Sequence, residues 1–252
     1  MTMTDTVQAA PRRSALPRAT AMRLAATEYQ RLLDTLRALP PDDWARPTEC
    51  TDWDVRAMAA HALGMVEMAA SLREQSRQLK AARRRGGLFI DALTAVQVEE
   101  RAGLSRRQLV DRFAARAPKA VRGRRLTPPF VRRHTMPEPQ TVGDQVESWT
   151  IGFLVDVILT RDPWMHRVDI VRATGADHVL TRDHDAVLVA DVVAEWAERH
   201  GQPYSLRLTG PIGGIWTSGS GGPDIELDAV EFCRLVSGRG AGSGLLATQV
   251  PF

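Results

Sequence analysis

The stretch TDWDVRAMAAHALGMVEMAASL, residues 51–72, decides how this chain folds. Met58, His61, Met65, Met68 and Leu72 recur at spacings of three and four, the stripe that one face of an α-helix turns to a core. Thr51 or Asp52 is expected to cap its start. Toward the N-terminus, Met22, Ala25, Tyr29, Leu32, Leu36 and Leu39 keep the same rhythm and predict a first helix, which Pro40 and Pro41 end. Trp44 to Thr51, interrupted by Pro47, reads as the connecting loop. Residues 1–19 mix Thr, Ala, Pro and Arg without periodicity and read as a disordered tail.

Toward the C-terminus, a third helical stretch is expected from Leu88 to Arg116, with a break near Gly103 and Ser105 and an end at Pro118. Arg122 to Pro139 holds four prolines and reads as a long irregular connection. Helix is expected again from Val142, with Val146, Trp149, Phe153 and Val157 on one face, and from Asp162 to Ala173 before Gly175. Four such helices make an up-down four-helix bundle over residues 20–178. The texture then changes. Asp185 to His200 is amphipathic, and Tyr204, Leu206 and Leu208 alternate with polar residues as a strand does. Ile215 to Ser218 and Ile225 to Leu227 are further strands, and Asp228 caps a last helix to Ser237. Residues 179–252 therefore read as a small α/β domain, and the whole chain as α+β.

The 252 residues are 44% hydrophobic and 25% charged, ordinary values for a globular protein. No apolar run approaches the roughly 20 residues that span a bilayer, and the first residues lack the apolar centre of a signal peptide; a cytoplasmic location is expected. The net charge of +3 hides an imbalance: Arg77 to Arg133 carries fourteen arginines and two lysines against Asp91, Glu99, Glu100 and Asp111. With few aromatics among them, these read as a solvated helical face and loop, not a base-stacking surface, so nucleic acid is not expected as a partner. Cys50 and Cys233 form no CxxC pair and read as packing residues. A metal would fall to histidines and carboxylates.

His61 lies inside the apolar stripe, where an imidazole must hydrogen-bond, coordinate an ion or stay neutral. TRDPWMHRVDI, residues 160–170, puts Asp162 and His166 four apart on one helical face, with Asp169 three further on. One His from one helix and Asp-x-x-x-His from another give three protein ligands and leave a coordination position open. Asp169 could then hold the other imidazole nitrogen. A second reading needs no metal: Asp162 before Pro163 is also a common helix start.

The run WARPTECTDWDVRAMAAH, Trp44 to His61, resembles the opening of the mycothiol-dependent maleylpyruvate isomerase family, within the DinB-like bundles, and TRDPWMHRVDI resembles that family's second metal motif. The resemblance covers about residues 20–250. It implies that His61, Asp162 and His166 bind a divalent ion, usually zinc, with aspartate at 162 where the naming enzyme has glutamate. It implies that Arg239, in Ser-Gly-Arg-Gly, serves catalysis by meeting substrate or thiol, and that mycothiol or a similar thiol is the cosubstrate. The expected activity is cis-trans isomerisation of a conjugated acid or S-transfer to a small electrophile, by a monomer or homodimer without membrane attachment. A biosynthetic tailoring enzyme with changed chemistry and a non-catalytic bundle binding a ligand or nucleic acid are the alternatives.

Overall fold

The structure, a computed structural model, describes residues 10–252. Residues 1–9 of the expected tail lie outside the described residues. Over residues 10–19 the disordered reading does not hold. The Arg12 N–H donates to the Ser148 carbonyl at 2.8 Å, the Thr150 N–H donates to the Arg12 carbonyl at 3.0 Å, and helix α1 (Arg18–Ala38) has begun by Arg18.

The cap of α2 (Val55–Ala70) is Asp54, whose carboxylate accepts the Ala57 N–H at 2.7 Å, not Thr51 or Asp52. The helix also stops short of the expected stripe's end. Ser71 turns extended and caps a separate helix, α3 (Leu72–Arg85), leaving Leu72 exposed. Helix α4 (Phe89–Glu99) follows, and Ser105 opens α5 (Arg106–Leu126) with a reciprocal Ser105–Gln108 capping box. Pro118 does not end α5 as expected. It sits on the exposed face, where water can satisfy the carbonyl that its missing N–H leaves free. The expected irregular connection thus begins only after Leu126 and contains one turn, α6 (Pro129–Arg132).

Helix was also expected from Val142. A hairpin lies there instead, β1 (Gln140–Val142) paired with β2 (Gln145–Glu147) across the two-residue turn Gly143–Asp144, in which Gly143 takes a φ of +58°. Thr150 then caps α7 (Ile151–Phe153), which passes through a π turn over Leu154–Ile158 into α8 (Leu159–Thr174). Pro163 is therefore inside a helix already under way, and Asp162 is not its cap. Pro163 cannot donate to the Leu159 carbonyl. The buried guanidinium of Arg124 does so at 2.9 Å, and it also donates to the Val155 carbonyl at 2.7 Å and the Thr160 hydroxyl at 2.5 Å.

Helices α1, α2, α5 and α8 form the bundle. Arg56, at the start of α2, donates to the Ala102 and Leu104 carbonyls just ahead of α5. At the other end, a Cβ on Gly123 would stand 2.4 Å from the Ala69 carbonyl oxygen, so glycine is what lets α5 approach α2 there. Helices α2 and α5 accordingly run the same way, with α3 and α4 as the crossover between them, so the four-helix bundle stands but the expected up-down order does not hold at this step.

In the C-terminal part, α9 (Asp185–His200) leads to a three-stranded sheet in which β3 (Tyr204–Thr209) lies between antiparallel β4 (Gly214–Ser218) and parallel β5 (Asp224–Asp228); α10 (Ala229–Val236) follows. One apolar cluster fills the bundle around Tyr29, Leu63, Phe113 and Ile170. A second joins Leu24, Trp164 and Val168 of the bundle to Val193, Trp196, Leu206 and Phe232. The α1–α8 face is thus sealed by the C-terminal elements, which brings the segment after α10 to the side of α8. Among the described residues, no helix is long and apolar enough to cross a membrane.

Candidate metal centre

His61 lies in the second turn of α2, and Asp162 and His166 lie one turn apart on α8, so two packed helices bring the three side chains together. Asp162 Oδ1 is 3.5 Å from His61 Nε2 and 3.2 Å from His166 Nε2. The two imidazole rings are perpendicular, with centroids 5.1 Å apart. Bonds of about 2.0–2.1 Å to a tetrahedral zinc place neighbouring donor atoms about 3.3 Å apart. The two distances to Asp162 match that edge. Three donor atoms of the trio lie within 4.8 Å of one another.

The residues fit an ion on a second count. His166 Nε2, the ring nitrogen that faces Asp162, is buried without an aligned hydrogen-bond partner, a costly arrangement unless something else satisfies it. Burial alone would disfavour the His166 imidazolium, but the Asp162 carboxylate outweighs it and holds the His166 pKa up at about 9. Burial likewise opposes ionisation of Asp162, yet His166 and His61 keep its carboxyl well below the ordinary carboxylate range. Such a site attracts positive charge. The side chains of His61 and His166 are 4% and 7% exposed and that of Asp162 is 18%, so the opening to solvent is on the aspartate side.

Around this trio stands a second set of groups. Asp169 Oδ2 is 3.5 Å from His166 Nδ1, and Arg239 grips the same carboxylate through Nε at 2.7 Å and Nη2 at 2.8 Å. Asp169 is fully buried, and although burial opposes its charge, His166 and Arg239 keep it ionised. Cys50 Sγ lies 3.9 Å from Asp169 Oδ2 and 4.0 Å from Arg239 Nη2. Burial pushes its thiol up to about 11 even though Arg239 pulls the other way. The Trp53 ring lies over both imidazoles, with centroids 4.9 Å from His61 and 5.8 Å from His166. The loop that carries Cys50 and Trp53 is itself tied to α10, where Arg234 donates to both Glu49 carboxylate oxygens.

The sequence pattern brought out His61, Asp162, His166 and Asp169, and these do converge. It missed the Glu49–Arg234 tie and the place of Trp53, and it read Cys50 as packing alone. Only the fold reveals that loop's position against α8 and α10. A third group, Glu28, His184 and Asp185, also lies within reach of a common ion. Arg167 already occupies it, donating to Glu28 at 2.8 and 3.1 Å and to Asp185 at 2.8 Å.

A helical bundle with a His, Asp and His cluster between two of its helices, closed on one side by an α/β unit, defines an α+β protein with a candidate divalent-metal centre. Residues 25–171, more than half of the chain, match the family described as mycothiol maleylpyruvate isomerase N-terminal domain, and the chain belongs to that family. The match contains His61, Asp162, His166 and Asp169 and stops before Arg239. Among solved structures, the crystal structure of the mycothiol-dependent maleylpyruvate isomerase is similar, with a TM-score of 0.57 at 16% identity over 90% of this chain and 91% of that one. A mutant of that isomerase gives a TM-score of 0.56 at the same identity and coverage. These likenesses establish a shared fold. No curated protein matches the chain in sequence.

Proposed function

We propose that this protein is a metal- and thiol-dependent enzyme that isomerises a conjugated acid from cis to trans, with mycothiol or a similar low-molecular-weight thiol as cosubstrate. The observation that carries the reading is the convergence of His61, Asp162 and His166 at the donor spacing of one tetrahedral ion. A bound zinc or similar divalent ion would supply the positive charge that keeps a thiol in its nucleophilic thiolate form at neutral pH. Asp162 and the two imidazoles would hold it, and Asp169 would fix the orientation of the His166 ring. Arg239 positions Asp169 and would meet the carboxylate of the substrate.

The protein's own thiol near the site is a poor nucleophile. Cys50, pushed up to about 11, stays protonated at neutral pH, which favours a nucleophile brought in from outside. In the proposed reaction the external thiolate adds to one carbon of the conjugated double bond, the remaining single bond rotates, and the same thiolate leaves. Nothing is oxidised and the thiol is returned. S-transfer to an electrophile shares the first step and ends at the adduct. The proposal places the enzyme in the cytoplasm, as a monomer or homodimer. The test is an assay with mycothiol and maleylpyruvate on chelated and metal-restored protein. Activity should vanish and return; activity that persists without metal contradicts the proposal.

A further inference from the structure

A cleft of about 450 Å³ lies apart from the residues of the metal centre, between the start of α3, the end of α4 and the middle of α5. Its acidic residues are already engaged. Glu74 and Glu100 each accept two hydrogen bonds from Arg77 at 2.6 to 2.9 Å, and Glu67 accepts from Arg101 at 2.5 and 3.0 Å. The Arg77 contact is the chief reason the Glu74 carboxyl sits down at about 2, so Glu74 stays ionised and paired at any physiological pH. Arg73, Arg112 and Arg116 line the same cleft and, among the described residues, form no ion pair with any carboxylate.

Arg112 and Arg116 stand one turn apart on α5, on the same face. Arg73 reaches the cleft from the first turn of α3, close to Ser71 and the unpaired amides that open that helix. With Arg77 and Arg101 paired to the three carboxylates, these three guanidinium groups leave the cleft with an excess of positive charge that an anion would neutralise. Their planar forks suit the oxygens of a phosphate group better than a point charge would. We infer that this cleft binds a small phosphorylated molecule, held by Arg73, Arg112 and Arg116. The site is independent of the proposed thiol chemistry, because none of its residues belongs to the metal centre.

The test is calorimetric titration of the full chain with inorganic pyrophosphate at low and at physiological salt, beside an Arg112→Gln/Arg116→Gln variant. Both side chains are exposed and carry no ion pair, so the variant should melt like the parent. The expected result is saturable binding that weakens at least tenfold in the variant. No heat of binding at low salt overturns the inference, as does binding that the double substitution leaves unchanged. A duplex oligonucleotide that binds more tightly than pyrophosphate and depends on the same arginines overturns it in favour of a nucleic-acid surface; such binding should fall steeply with salt.

Discussion

Arg239 donates two hydrogen bonds to the carboxylate of Asp169, seventy positions earlier in the chain, and Asp169 in turn faces the Nδ1 of His166. The segment after α10 therefore bears on the orientation of an imidazole inside the bundle. Outer groups that orient a metal ligand typically contribute 10- to 100-fold to affinity or activity. Arg239→Lys keeps the charge but loses the planar two-pronged grip. That variant should lose on the order of tenfold in zinc affinity by competition with a chelator, and Asp169→Asn should lose at least as much. Unchanged affinity in both would reduce the pair to a packing contact.

Arg124 is the cation on which the π turn depends. It serves the carbonyls of Val155 and Leu159, the second of which Pro163 leaves without a donor. Arg124→Met leaves the Val155 carbonyl without this donor and the Leu159 carbonyl with only the longer 3.4 Å bond from the Tyr29 hydroxyl, and should destabilise the fold by about 3 kcal/mol. Urea unfolding measures this. A loss below about 0.5 kcal/mol, the range of an ordinary surface change, would mean that water replaces the guanidinium.

His178 gives the stability a dependence on pH. Its Nε2 is buried without a partner, and burial, aided by the nearby Arg167, lowers its pKa from 6.5 to about 4. Between these values the unfolded chain binds the proton and the folded chain does not, so this group's contribution makes stability fall as pH drops from about 6.5 toward 4. Melting curves at pH 7 and pH 5 should show a smaller acid-induced decrease in His178→Gln than in the parent. An equal decrease would assign the effect to other groups.

Much of this was legible from periodicity. The three-four stripes located α1 and α2, the alternation at Tyr204 to Leu208 located β3, and the Asp162, His166 and Asp169 spacing located the side chains that meet His61. The failures have physical causes. Pro118 looked like a stop because a sequence does not show which side of a helix faces water. Val142 and Val146 fit a helical face as well as they fit a hairpin, and the deciding signal was the Gly143–Asp144 turn. The cap reading of Asp162 and Pro163 was sound chemistry for an isolated segment. It lost to Arg124, a residue more than thirty positions away that satisfies the carbonyl Pro163 frees. The pairing of Arg239 with Asp169 joins parts of the chain that no local pattern connects.

Trp53 covers the two imidazoles on the side of the loop that Glu49 ties to α10. Trp53→Ala should leave three ligands in place but open the centre to water. Under the proposed function, metal content is retained while kcat/KM falls by about tenfold or more, an effect in the range expected when site geometry loosens. Loss of the metal itself would show that the indole helps hold the ligands.

The most direct test of the account is the metal content of the purified chain beside that of His166→Ala, after exposure to zinc and removal of excess ion, with circular dichroism to confirm that the variant is folded. The three-ligand centre predicts about one ion per chain in the parent and a small fraction of that in the variant. Equal content in the two proteins, or none in either, would contradict it.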